Sequence, residues 1–70
     1  MQTSLCILLN GAPRQVRAGA SVADLIVELG LVGSAVAVER NRRLVRRDEQ
    51  AGTELAEGDQ IEVVTLVGGG

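Results

Sequence analysis

Residues 3–31 read TSLCILLNGAPRQVRAGASVADLIVELGL, and this stretch decides the fold. Its first seven residues are almost wholly apolar and run into Asn10-Gly11, the dipeptide that most strongly marks a two-residue hairpin. A short apolar run beside such a turn is a strand rather than a helix. Alternation places Leu5, Ile7 and Leu9 on one face and Cys6 and Leu8 on the other. With both faces apolar, the strand is predicted to lie inside its sheet. Pro13 falls just after the turn, where a missing N–H does least harm. Residues 14–18 then return as an alternating second strand, with Val16 inward and Arg17 outward.

The rest of the stretch is a helix marked at both ends. Ser21-Val22-Ala23-Asp24 has the form of a capping box, in which the serine accepts from an early helical N–H and the aspartate reaches back. Val22, Leu25, Ile26 and Leu29 follow at i, i+3, i+4 and i+7, one apolar stripe. Gly30 stands where a left-handed residue ends a helix, and Leu31 where its apolar partner belongs. The spacing predicts about ten helical residues.

Further out, residues 35–39 are β-prone, the run breaks at Arg40-Asn41, and Leu44-Val45 resumes briefly. Residues 48–57 are polar and irregular, with Leu55 their only large apolar anchor. Glu57-Gly58-Asp59 is a turn, and residues 60–67 form the longest β-prone run before Gly68-Gly69-Gly70. Two hairpin strands, a helix, then a return to the sheet make an α+β, β-grasp (ubiquitin-like) arrangement: a mixed sheet of about five strands carrying one main helix. A right-handed crossover brings the third segment, and eventually the last strand, alongside the first. Residues 1–67 are expected to form the domain and 68–70 a flexible glycine tail.

Composition narrows the function. Seventy residues make one domain, and so small a core holds only ~3–5 kcal/mol without staples or ideal packing. Cys6 is the only cysteine and histidine is absent, which excludes an internal disulfide, a zinc site of the usual kind and a four-cysteine iron–sulfur cluster. Aliphatic packing must suffice, since Phe, Tyr and Trp are all missing. Without a signal sequence or a run of roughly 20 apolar residues, a cytoplasmic location is expected and no membrane partner. The net charge of −2 argues against nucleic acid. No pair of groups suits acid–base or nucleophilic work, so the chain is expected not to be an enzyme. Cys6, lacking a histidine to activate it, reads as a small hydrophobe in or beside the sheet.

Three terminal glycines are read as chain-end disorder, a remnant, or function, and function has a physical case. A C-terminal carboxylate, with a pKa of about 3.3–3.7, is an anion and a poor electrophile at neutral pH. Activation, most simply as an acyl-adenylate made from ATP, requires threading the chain end into another protein's active site. Residues without a Cβ pass through a narrow channel and adopt dihedrals closed to others. Three of them reach roughly 10 Å beyond the folded body. A side chain at Gly69 or Gly70 should block entry.

Along nearly its whole length the sequence resembles the ThiS family of sulfur carriers of thiamine thiazole biosynthesis. The resemblance is carried by Leu8-Leu9-Asn10-Gly11, by Ala18-Gly19 leading into Ser21-Val22-Ala23-Asp24-Leu25, and by Ala35-Val36-Ala37-Val38-Glu39. Leu55-Ala56-Glu57-Gly58-Asp59-Gln60-Ile61-Glu62-Val63 and Val67-Gly68-Gly69-Gly70 complete it. It implies a protein co-substrate with no bound cofactor. An E1-like adenylyltransferase activates Gly70 with ATP while Gly68 and Gly69 thread its channel. A persulfide from a sulfurtransferase or cysteine desulfurase displaces AMP, and the thiocarboxylate passes sulfur to thiazole synthase. The chain departs from the resemblance at Arg46-Arg47, where proline then arginine is common, and at Gln50, where tryptophan is frequent. Both departures bear on how that loop packs or docks.

Other readings remain beside this one. A carrier of the molybdopterin pathway uses the same tail chemistry, though such carriers tend to be longer, with aromatic residues and a proline before the glycines. A ubiquitin-like interaction module with an inert tail, or a protein modifier, also fits the fold. Arg40, Arg42, Arg43, Arg46 and Arg47 form a basic cluster, read first as a solvated hairpin edge and second as a dock for an acidic partner, with Arg46 and Arg47 the candidates. Nucleic acid comes third, since no aromatic residue is present to stack bases. If Ile61 and Val63 face the helix, Leu8, Val64 and Leu66 form an apolar docking patch on the open sheet face.

Overall fold

The computed structural model describes residues 3–66; the Gly68-Gly69-Gly70 tail and the 67/68 domain boundary lie outside the described residues. Five strands form one sheet: β1 (Ser4–Leu9), β2 (Ala12–Arg17), β3 (Val36–Arg40), β4 (Arg43–Val45) and β5 (Gln60–Thr65). Helix α1 (Val22–Glu28) crosses it, and a 3₁₀ helix, Arg47–Gly52, precedes β5. The strand order is β2-β1-β5-β3-β4, mixed, with β1 parallel to β5 and the other pairs antiparallel. This is the β-grasp arrangement.

The last strand does lie alongside the first, whereas β3 does not. It sits one place further out, because β5 occupies the slot between them. Residues 61–65 of β5 thereby pair with β3, and Gln60 and Ile61 pair also with Leu8 and Leu9 of β1, which suits the longest β-prone run of the chain. The polar segment before it is also more regular than its composition predicts. The Arg46 N–H donates to Glu49 Oε1 at 2.9 Å, and Thr53 Oγ1 donates to the Glu49 carbonyl at 2.7 Å, which holds the 3₁₀ turn.

Asn10 and Gly11 have φ of 51° and 85°, so the β1–β2 connection is a two-residue turn with both central residues left-handed. The Leu8 N–H donates to Asp59 in the β5 direction, so Leu8 and Pro13 oppose each other without hydrogen bonds. Pro13 therefore costs the β1–β2 ladder nothing, and β2 is an edge strand.

Helix α1 spans seven residues between its caps, shorter than the spacing predicts, but both caps form as read. The Asp24 N–H donates to Ser21 Oγ at 3.1 Å and the Ser21 N–H to Asp24 Oδ2 at 2.9 Å. At the other end Gly30 has φ 72°, its N–H reaches the Val27 carbonyl, and the Leu31 N–H reaches that of Ile26. These two bonds are the Schellman pattern. Val22, Leu25 and Ile26 meet Ile7, Val16, Val38, Ile61 and Val63 in an aliphatic core, which Leu55 plugs from the loop. Hydrogen bonds from Val22 to Thr53 and from Leu55 to Ala20 tie that loop to the start of the helix.

Candidate functional site

Three features bear on how β5 delivers the chain to its tail. The first is the anchoring of β5 itself. Glu57-Gly58-Asp59 forms the expected turn, and Asp59 at its end is buried, 5% exposed. Its carboxylate accepts from Arg40 Nε and the Ala56 N–H, both at 2.8 Å, and from Asn41 Nδ2 at 3.1 Å. Burial alone would raise its pKa. The guanidinium of Arg40, the Ala56 amide and the Asn41 amide outweigh that and hold the carboxyl below the usual carboxylate range. Arg40 is therefore no part of a solvated edge; it is the counterion of a buried acid. Nothing in the local sequence marks this, because its partners lie 18 and 19 residues apart along the chain.

Two asparagines continue the anchoring on either side. Asn10 Oδ1 accepts from the Val63 N–H at 2.9 Å, and its Nδ2 donates to the Val63 carbonyl at 3.3 Å. Asn41 takes both backbone groups of Gln60: its N–H donates to the carbonyl at 2.7 Å and its Oδ1 accepts from the N–H at 2.9 Å. Each side chain stands in for a strand residue where the neighbouring strand has turned away. At the far end the Leu66 N–H donates to the Ala35 carbonyl at 2.8 Å, holding the last described residue against the loop before β3.

The second feature is the open sheet face. Leu8, Val64 and Leu66 are exposed, at 37%, 54% and 55%. Leu8 pairs with Gln60, and β5 runs on through Glu62 before it reaches Val64, four residues or roughly 13 Å away. The three thus do not make one continuous patch. Val64 pairs with Ala37, beside the tail, and Glu62 pairs with Glu39, so this face carries two directly opposed carboxylates. Cys6 lies on the same face and is exposed rather than tucked into the sheet. The Cys6 N–H donates to Glu57 Oε1 at 3.1 Å.

The third feature, which the sequence reading does not anticipate, is a groove of about 520 Å³ between α1 and the β4 side of the sheet. Ile26, Val27, Leu31, Val45 and Leu66 line it, with Arg46, Arg47 and Gln50. Arg42, Arg43, Arg46 and Arg47 are exposed, as a hairpin edge requires, and β4 is the sheet's outer strand. Both departures from the family resemblance, Arg46-Arg47 and Gln50, line the groove. Asp24, by contrast, belongs to the fold. Bonds to Ser21, the backbone one foremost, and Arg17 at 3.6 Å keep its carboxyl below the usual range against a smaller opposing effect of burial.

No helix among the described residues is long and apolar enough to cross a membrane. The sequence model of the ThiS family matches residues 7–70, glycines included. The chain is 45% identical over 64 residues to a thiazole synthase of Magnetococcus marinus and 38% identical over 64 residues to one of Paramagnetospirillum magneticum. Each match covers 91% of this chain but 20% of the relative, so the chain spans about a fifth of the length of these synthases. The sulfur carrier protein ThiS of Bacillus subtilis is 36% identical over 50 residues, 71% of this chain and 76% of its own. The crystal structure of the thiamine biosynthesis protein ThiS from Geobacter metallireducens superposes with a TM-score of 0.79 at 28% identity, covering 94% of this chain and 100% of the other. A match through the glycines, a shared β-grasp body and a carrier relative of similar length agree: the chain belongs to the ThiS family.

Proposed function

We propose that the chain is a sulfur carrier for thiazole formation in thiamine biosynthesis, and that Gly70 carries the sulfur. An E1-like adenylyltransferase receives the tail, and the Gly70 carboxylate attacks the α-phosphorus of ATP, releasing pyrophosphate and leaving an acyl-adenylate. A persulfide, supplied by a sulfurtransferase or cysteine desulfurase, attacks the acyl carbon and expels AMP. A second thiol then breaks the S–S bond of the acyl disulfide and frees the thiocarboxylate, which thiazole synthase consumes. The carrier's own residues bind and present; the reacting groups other than Gly70 belong to its partners.

The observation that carries this reading is the family match running through Gly70, joined to a β5 strand anchored on both sides. A rigid strand leading to residues without side chains delivers a carboxylate at a defined point and lets it enter a narrow site. Gly68 and Gly69 are the threading residues. The residues proposed for partner contact are Val64 and Leu66, with Leu8 apart from them, and Arg46 and Arg47 for an acidic surface.

The test is loading in vitro with ATP, a matched adenylyltransferase and a sulfur donor, followed by intact mass. A product heavier by the exchange of one oxygen for sulfur, localised to the C-terminal peptide, is expected. Gly70→Ala, or one residue added after Gly70, should abolish loading while the domain stays folded. Loading of either variant at the normal rate would sink the tail mechanism.

A further inference from the structure

The groove beside α1 is a second surface, which meets the open sheet face at Leu66. Val27 and Leu44 at its sides are 62% and 65% exposed, and its floor is the aliphatic edge of the core. Arg46 and Arg47 both line it, and among the described residues their guanidinium groups make one ion pair, a loose contact of 3.8 Å from Arg46 to Asp48 with both side chains nearly three-quarters exposed or more. Such a pair is worth little, so the cationic character of the groove remains.

Two occupants can be compared. A second copy docked groove to groove would set Arg46 and Arg47 against their own counterparts, which like charges oppose. A partner segment with aliphatic side chains flanked by carboxylates meets both the floor and the rim. The Magnetococcus and Paramagnetospirillum relatives indicate whose segment it is, since there a stretch resembling this chain forms part of a thiazole synthase five times as long.

We infer that the groove seats the carrier body on an apolar, carboxylate-flanked segment of thiazole synthase, leaving the tail free to move between sites. This rests on the carrier reading above. The test titrates the full ¹⁵N-labelled chain with purified thiazole synthase and follows amide signals. Perturbations centred on Val27, Leu44, Arg46 and Arg47 are expected. Leu44→Glu, which puts a charge on the groove's apolar side, and Arg46→Glu with Arg47→Glu, which reverses its charge, should each weaken binding about tenfold or more with the spectrum of a folded domain retained. Deleting residues 68–70 should change the affinity less than about threefold, since the seat excludes the tail. Perturbations confined to Leu8, Gln60 and Val64, or unchanged binding by the groove variants, overturn the seat and leave the carrier reading standing. Absence of any binding overturns both.

Discussion

The two tight turns of the molecule do the same job with different means. Asn10-Gly11 closes β1–β2, and Asn41-Arg42 closes β3–β4, each with two consecutive residues at positive φ. In each, the asparagine amide reaches across to the backbone of β5, at Val63 on one side and at Gln60 on the other. The first turn uses glycine at its second position, where φ of 85° costs nothing. The second holds Arg42 at φ 70°, a conformation that costs a side-chain-bearing residue of order 1 kcal/mol. The strained turn persists because its neighbours over-determine it: Asn41 is fastened to Asp59 as well as to Gln60, and Arg40 beside it is paired with the same carboxylate. One turn is held by its own dihedrals, the other by a buried charge.

That difference can be broken from the charged side first. For 70 residues the total stability is roughly 3.5–10 kcal/mol, so single anchors matter. Asp59→Ala strands Arg40, Asn41 and the Ala56 N–H and should cost about 3 kcal/mol in urea unfolding, a large fraction of the whole. A loss under about 1 kcal/mol would show that the turn does not depend on this charge. Because the folded pKa of Asp59 lies below its unfolded value, its contribution is complete above about pH 5 and is lost as pH falls through the folded pKa, under 3.8. Asp59→Asn should flatten the acid limb of a stability–pH curve, and an unchanged limb would assign acid sensitivity elsewhere.

The asparagines come next. Asn41→Ala removes an αL-tolerant residue, a bond to a carboxylate and a bond to Gln60, and is expected to cost about 2–3 kcal/mol. Asn10→Ala loses only neutral bonds and should cost about 2 kcal/mol, with hydrogen exchange quickening at Val63 rather than at Gln60. Equal exchange at both amides would mean that the two turns open together. The smallest effect is a gain. Arg42→Gly should stabilise by about 0.5–1 kcal/mol, since it relieves the left-handed strain without touching Asp59. A loss on this substitution would place a stabilising contact on the Arg42 side chain.

The same contrast explains what could be read from the chain. Asn10-Gly11 is legible because its geometry is local and its residue types advertise it, as are Ser21 with Asp24 and Gly30 with Leu31 around the helix. The break at Asn41 is visible, but Arg42 is not a turn residue by type, so the second turn shows only as an interruption. Asp59 is hidden for a stronger reason: its burial depends on Arg40 and Asn41 arriving from another hairpin. The place of β3 was likewise beyond reach, since pairing across the sheet is set by which strand takes the central slot. At the candidate site, exposure of Leu8, Val64 and Leu66 follows from alternation. The groove does not, because it is made by the gap between α1 and β4, and no periodicity describes a gap.

The central position of β5 has a mechanical meaning. It is parallel to β1 on one side and antiparallel to β3 on the other, and it leads directly to Leu66. A partner that grips the chain beyond Leu66 and draws it into a channel pulls along the axis of that strand. The load falls on hydrogen bonds lying across the pull, the β3 ladder along most of the strand with β1 and the Asn10 amide behind it, so they bear it in shear and share it. An edge strand pulled sideways would instead give way one bond after another. The body is thus built to keep its shape under tension while its end is drawn elsewhere.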